Sequence, residues 1–230
     1  MSTVDISLVE VAASLALIAL AIGVSFWRRA ELEQDLAVAV LRSFVQLTAI
    51  GYVIQAIFDS DSLWLVAALL AVMVGFGAFT ARSRAKEVPG ALIPLVLALS
   101  AAAVITLGLV LAFGIFEAEP RYLVPVGGMV IGNSMTAAAV ALNRLADEVR
   151  GQAALIEAML ALGATSRQAA RGLVTRSLRS GMIPLIDSTK TTGIVFFPGT
   201  MVGMLVAGAE PIDAVRLQLI LLWVLLGSVS

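Results

Sequence analysis

Apolar runs separated by short polar breaks occupy most of this 230-residue chain, at about 8–27, 36–58, 63–80, 91–116, 121–143, 182–208 and 212–230. A helix needs about 20 predominantly apolar residues to cross a hydrocarbon core of ~30 Å, and each run is in that range. Backbone polar groups find no water in lipid, so runs of this kind are helical. The pattern predicts an all-α, polytopic membrane protein of about seven transmembrane helices.

Basic residues set the orientation. Arg28 and Arg29 follow the first run, Arg82, Arg84 and Lys86 the third, and Arg144, Arg150, Arg167, Arg171, Arg176 and Arg179 the fifth. These eleven of the 15 Lys and Arg fall on one side, which the bias makes cytosolic. The opposite breaks are short and acidic, with Asp59 and Asp61, Glu117 and Glu119, and Glu210 and Asp213. The N-terminus is therefore expected outside and the C-terminus inside. No basic residue precedes the first run, which fits an uncleaved N-out helix better than a signal peptide. The polar stretch at about 144–180 is too short for a core of its own and predicts one or two helices along the cytosolic membrane face. No Gly/Ser-rich linker divides the chain, so residues 1–230 are expected to form a single transmembrane domain.

Composition narrows the chemistry. Hydrophobic residues make up 60% of the chain, charged residues 13%, and mean hydropathy is +1.01. Cysteine and histidine are absent. That excludes disulfides, Cys/His zinc sites, thiol nucleophiles and imidazole acid–base catalysis. The lysines are Lys86 and Lys190, preceded by Ala85 and Thr189, so neither belongs to a phosphate-binding loop. Any ATP and Mg would be held by a partner, and the chain is expected to be neither an enzyme nor a nucleic-acid binder.

One region concentrates the remaining signals. Glu157-Ala158 followed by Gly163, on an amphipathic basic stretch with Leu160, Ala164, Arg167 and Arg171, has the EAxxxxG spacing. It resembles the EAA loop of ABC-transporter permeases, a short coupling helix that docks on an ATPase subunit. The Leu-Pro usual some way after the Gly is replaced by Thr175 and Arg176. The spacing alone also fits an interfacial helix whose arginines face lipid headgroups.

Polar residues inside the spans are the other candidates. Asp187, Ser188, Thr189 and Lys190 interrupt the sixth run, bracketed by Pro184 and Pro198 and loosened by Gly193 and Gly199. Ionised groups deep in a membrane face a cavity or a partner, which predicts a broken helix lining a pathway. The alternative places Lys190 at the cytosolic headgroups, reached along its own aliphatic stem. Arg42 and Gln46 lie one turn apart on span two, and Asp187 is the expected counter-ion of Arg42, in a structural bridge or at the substrate. Asn133 and Ser134 sit mid-span, but without a histidine this Ser has no base and a serine protease is excluded. Gly128 with Gly132, and Gly199 with Gly203, are four apart, the spacing of close helix packing. Met129, Met135, Met201 and Met204 are candidate soft-metal ligands or ordinary core, while Asp187 and its polar neighbours suit harder ions.

The segments GGMVIGNSM (127–135), EAMLALGAT (157–165) and IPLIDSTKTTGIVFFPGTMVGMLVAGAEP (183–211) resemble those of the FetB-like iron-export permeases, which include plant relatives linked to aluminium tolerance. The resemblance covers most of the chain. It implies a homodimeric, multi-pass permease subunit of an ABC-type exporter in the bacterial inner membrane, driven by a separate ATP-binding subunit and moving iron or a related metal. The usual Pro-Gly-Met-Met stands here as Pro198-Gly199-Thr200-Met201. Two other classes remain open on the residues alone: a gradient-driven transporter or channel using Asp187 and Lys190, and a non-transporting scaffold that recruits an ATPase.

Overall fold

The computed structural model describes residues 8–28, 32–85 and 88–230, apart from the side chains of residues 8, 11 and 12. Arg29 and Lys86, counted above among the orienting residues, lie outside the described residues. The described residues form nine helices: α1 (Leu8–Arg28), α2 (Glu33–Ser60), α3 (Leu63–Arg84), α4 (Leu92–Ala112), α5 (Pro120–Gly151), α6 (Ala153–Ala161), α7 (Ser166–Thr191), α8 (Gly199–Val206) and α9 (Pro211–Val229). An isolated bridge between Thr192 and Phe196 is the one β-type pairing among them.

The bundle is organised around α5. One buried cluster joins Val124, Val126 and Val130 of α5 to Val66 of α3, Leu107 of α4, Leu221 and Leu225 of α9, and Ile57 of α2. A second joins Ile131 and Ala139 of α5 to Val74, Ala78 and Ala81 of α3 and to Leu95 and Leu99 of α4. Small residues on α3 permit this proximity. A Cβ at Gly77 would stand 3.4 Å from both Ile131 and Leu99. The α2 helix is peripheral, packing on α1 and α5 and leaving Leu41, Phe44, Leu47 and Tyr52 exposed. Ser25 ties α1 to α2, donating to Glu33 Oε1 at 2.9 Å and accepting from the Leu32 amide at 3.2 Å.

Five described helices (α2, α3, α4, α5 and α9) are long and apolar enough to cross a membrane, and α1 contributes a shorter apolar stretch. The sixth run is not one helix. It is divided between the last turns of α7 and the short α8, with residues 192–198 irregular between them. The break does not fall at Pro184, which lies inside α7, but after Thr192, where Gly193 takes φ +85 and Pro198 caps α8. Within the polar stretch 144–180, Ala153–Ala161 form the separate short helix α6, with no residue buried. The first residues of the stretch prolong α5, and from Ser166 onward it is the beginning of α7.

The Gly128/Gly132 and Gly199/Gly203 spacings do not mark the closest helix approach within the chain. Gly132, Gly199 and Gly203 face open space, and a Cβ at Gly128 would meet only the tip of Met73. The tight crossing is at Gly181 of α7, where a Cβ would stand 2.6 Å from the carbonyl oxygen of Ala137 and 3.1 Å from the Ala141 methyl. A backbone oxygen cannot swing aside, so any side chain at Gly181 forces α7 away from α5. Gly181→Val is therefore expected to destabilise the protein by about 1–3 kcal/mol, the usual penalty of overpacking. Thermal unfolding in detergent would show it as a lowered Tm, with Gly75→Ala, which enters open space, as the neutral control. Equal melting of both variants would contradict this crossing.

Candidate functional site

The site is built on α5 and α7. After Leu142, Arg144, Asp147, Glu148 and Arg150 carry α5 beyond its apolar run to Gly151. The α6 helix follows and stops abruptly. Gly163 takes φ +91, a backbone that favours glycine, while the Gly163 amide bonds Leu160 O and the Ala164 amide bonds Met159 O, both at 3.0 Å. That is a Schellman ending. Two residues later Thr165 opens α7 with a capping box: its hydroxyl accepts from the Gln168 amide at 3.3 Å, and its own amide donates to Gln168 Oε1 at 2.8 Å. The α6–α7 turn thus has a defined geometry at both ends. Glu157, Ala158 and Leu160 sit exposed on α6, Arg167 and Arg171 exposed on α7, and Leu162 at the tip is 88% exposed. Ala164 is half-buried in the turn.

Beneath this turn, one carboxylate joins the two long helices. Glu148 accepts from Arg176 Nε at 3.2 Å and Nη2 at 2.9 Å, from Arg144 Nη2 at 2.8 Å and from Gln152 Nε2 at 2.7 Å. Its side chain is 9% exposed, whereas both arginines are about half exposed. Glu148 stands beyond the apolar run of α5. The Arg176 hydrogen bond, and more weakly the charges of Arg176 and Arg144, outweigh burial and hold its carboxyl below the usual range. Sequence reasoning passed over Glu148; the available signal was the Arg144–Glu148 spacing of four on a helix that also carries Arg150.

The contacts also set the register of α7. Arg176 meets Glu148 and Gly181 meets Ala137 and Ala141, so the two helices run antiparallel. Six residues beyond Gly181, at equal rise, Asp187 comes level with roughly residues 131–135 of α5, the middle of the 121–143 run. Leu185, packed against the cluster of Val126, Val130 and Leu221, agrees with that depth. Lys190 then lies about 20 Å from the basic edge, beyond the reach of its own stem. Asp187 and Lys190 pair with each other at 3.5 Å, and their side chains are 62% and 70% exposed. Thr189, Thr191 and Thr192 hydroxyls return hydrogen bonds to the carbonyls of Leu185, Asp187 and Ser188. Ser188 is half-buried beside them.

The other candidates are dispersed. Arg42 does not meet Asp187; its guanidinium lies 5.7 Å from the centroid of the Phe76 ring, a cation–π contact between α2 and α3. Gln46 is exposed one turn along. Asn133 turns back on its own helix, donating to Met129 O at 2.8 Å. Met129 and Met135 pack into the two core clusters, whereas Met201 and Met204 belong to α8, which packs on α9. Among the described residues, no three Asp or Glu side chains gather as a metal site. Ser134 lines a cavity of about 350 Å³ between α4, α5, α7 and the end of α9, walled largely by Ala98, Ala102, Ala137 and Ala141. Its buried hydroxyl makes no hydrogen bond there.

Long apolar helices packed around a central one define a polytopic helical membrane protein. Residues 8–230 match the family described as Uncharacterised protein family (UPF0014), and the chain belongs to it. It is 38% identical over 224 residues to Protein ALUMINUM SENSITIVE 3 of Arabidopsis thaliana, covering 97% of this chain and 82% of that protein. It is 34% identical over 230 residues to the probable iron export permease protein FetB of Escherichia coli (strain K12), covering 100% of this chain and 89% of that protein. The UPF0014 membrane protein YjkA of Bacillus subtilis (strain 168) is 37% identical over 214 residues, covering 93% of this chain and 85% of that protein. No solved structure matches this chain.

The Glu148 junction gives a directional prediction. Because its carboxyl titrates lower in the folded chain, its contribution is complete above the usual carboxylate pKa and is lost as pH falls through the lowered value. Glu148→Gln is expected to raise amide hydrogen exchange across residues 150–176 at neutral pH, where the wild type is protected. Arg144→Gln, which leaves the α5–α7 bond in place, should raise it less. An equal rise in both variants would remove the cross-helix role.

Proposed function

We propose that this chain is the membrane permease subunit of an ABC-type exporter, moving iron or a related metal ion across a bacterial inner membrane. A separate subunit binds ATP and Mg and supplies the energy; two copies of this chain form the membrane part. The observation that carries the proposal is the continuity of α7. This 26-residue helix, about 39 Å long, runs from the exposed turn at Gly163 to the Asp187–Lys190 pair at bilayer depth. The name of the Escherichia coli relative supports the transport class.

The proposed working cycle follows from the geometry. Leu160 and Leu162, flanked by Arg167 and Arg171, offer an apolar tip with basic flanks, suited to a cleft on a soluble partner. The turn is capped at both ends and so moves with α7 as a unit. Glu148 ties the base of that unit to α5. A push on α6 therefore shifts α7 against α5 at Gly181 and displaces the Asp187 end, where the irregular residues 192–198 absorb the motion.

The test is co-reconstitution of the chain with its ATP-binding subunit in proteoliposomes, reading ATP hydrolysis and iron flux. Glu157→Lys should abolish iron-stimulated hydrolysis and flux together. Gly163→Pro, which cannot adopt φ +91 and removes an amide used in the cap, should do the same while insertion is preserved. Flux that persists without ATP and collapses with the ion gradient would replace this reading with the gradient-driven one. Stable binding of the ATPase with no flux of any metal would favour a scaffold.

A further inference from the structure

We propose that Lys190 is a tethered stand-in for the transported cation: at rest its ammonium holds the Asp187 carboxylate, and the cargo enters by replacing it at the break between α7 and α8. This deepens the transport reading and rests on it for the cargo. The binding test below needs no ATPase, so the two can fail separately.

Three observations converge on this spot. The first is depth. The Gly181 crossing and the packing of Leu185 put both charges well inside the apolar zone, where a lone ionised group would be strongly disfavoured. A lysine three residues from the aspartate makes the empty site electrically neutral.

The second is the looseness of the pair. Nζ and Oδ1 are 3.5 Å apart, at the long end of an ion pair, and both side chains are more than half exposed. A structural bridge is ordinarily short and enclosed, as at Glu148. A contact this open is suited to exchange. Arriving as a divalent ion, the cargo would also repel the ammonium it displaces.

The third is the backbone. The α7 helix ends at Thr191, directing the negative end of its dipole to the same place. Among residues 192–198, the carbonyls of Phe196 and Pro198 are used by the backbone amides of Gly193 and Val202. The helix ladder does not claim the others in this stretch. Irregular backbone at bilayer depth is tolerated where it is covered by protein or lines a water-filled cavity, and paired half-helices of this kind hold cations in other transporter folds. A carboxylate with backbone and hydroxyl oxygens is a hard donor set, which selects a divalent ion of hard or borderline character. The thioethers of Met129 and Met135 are committed to the core, so they do not complete it.

The test measures binding of ferrous iron, under anaerobic reducing conditions, to the purified full chain in phosphatidylcholine nanodiscs by equilibrium dialysis. If the stand-in leaves the carboxylate free about a tenth of the time, Lys190→Gln should tighten the apparent Kd about tenfold, because the competing state is gone. Asp187→Asn should abolish binding, and so should Asp187→Asn combined with Lys190→Gln, which restores neutrality. Lys190→Arg keeps the charge and offers a forked partner to the carboxylate; it should weaken binding while folding as the wild type. An affinity that is unchanged or lower in Lys190→Gln, or unchanged in Lys190→Arg, overturns the proposal. Retained binding in Asp187→Asn overturns it too. If the affinities shift as stated and no ATPase associates, the site stands and the energy source changes.

Discussion

The approach of α7 to α5 at Gly181 is the constraint from which the rest of the architecture follows. With hydrogen in place of a side chain, the α7 backbone comes to rest on the Ala137 carbonyl, and Ala141 fits beside it. In lipid there is little hydrophobic gain in bringing two helices together, so association depends on close van der Waals contact between small residues. This crossing sets the register between α5 and α7, each part polar and part apolar. Register then decides level, and level sets the Asp187–Lys190 pair beside the middle of the apolar run of α5.

A second polar contact protects that register at the other end. Glu148 and Arg176 lie five residues of α7 away from Gly181, outside the apolar run, where a charged contact is cheap to hydrate and strengthened by four converging hydrogen-bond donors. The two contacts differ in chemistry for a physical reason. Inside the hydrocarbon, steric fit is the available means of locking helices; at its edge, charge becomes usable. In the proposed transport cycle, the pair of contacts makes α7 a lever with one arm ending in the α6–α7 turn and the other at the break before α8.

The site was only partly legible in the sequence, and the misses have distinct causes. The Glu157–Gly163 spacing led to a turn that does exist, because a glycine with positive φ and a Thr-x-x-Gln cap are local devices that act within a few residues. The Arg42–Asp187 pairing failed because opposite charge says nothing about which helices are neighbours, and α2 packs on α1 and α5. The glycine spacings misled for a similar reason. Gly128/Gly132 and Gly199/Gly203 have the periodicity of a packing face, yet the residue pressed against a neighbouring backbone, Gly181, belongs to no such pair.

By itself, the sequence determined the class: hydrophobic run length forces transmembrane helices, and the lack of His and Cys removes whole branches of chemistry. It also determined the position of the turn at Gly163, since backbone strain is local. Only the tertiary structure decided that the basic stretch and the polar block share one helix, that the sixth span is interrupted after Thr192, and that Glu148 belongs with Arg176. Those outcomes depend on which helices touch and in what register. Hydropathy is nearly uniform around α3 and α4 and cannot encode it; the fit of small residues against backbone can.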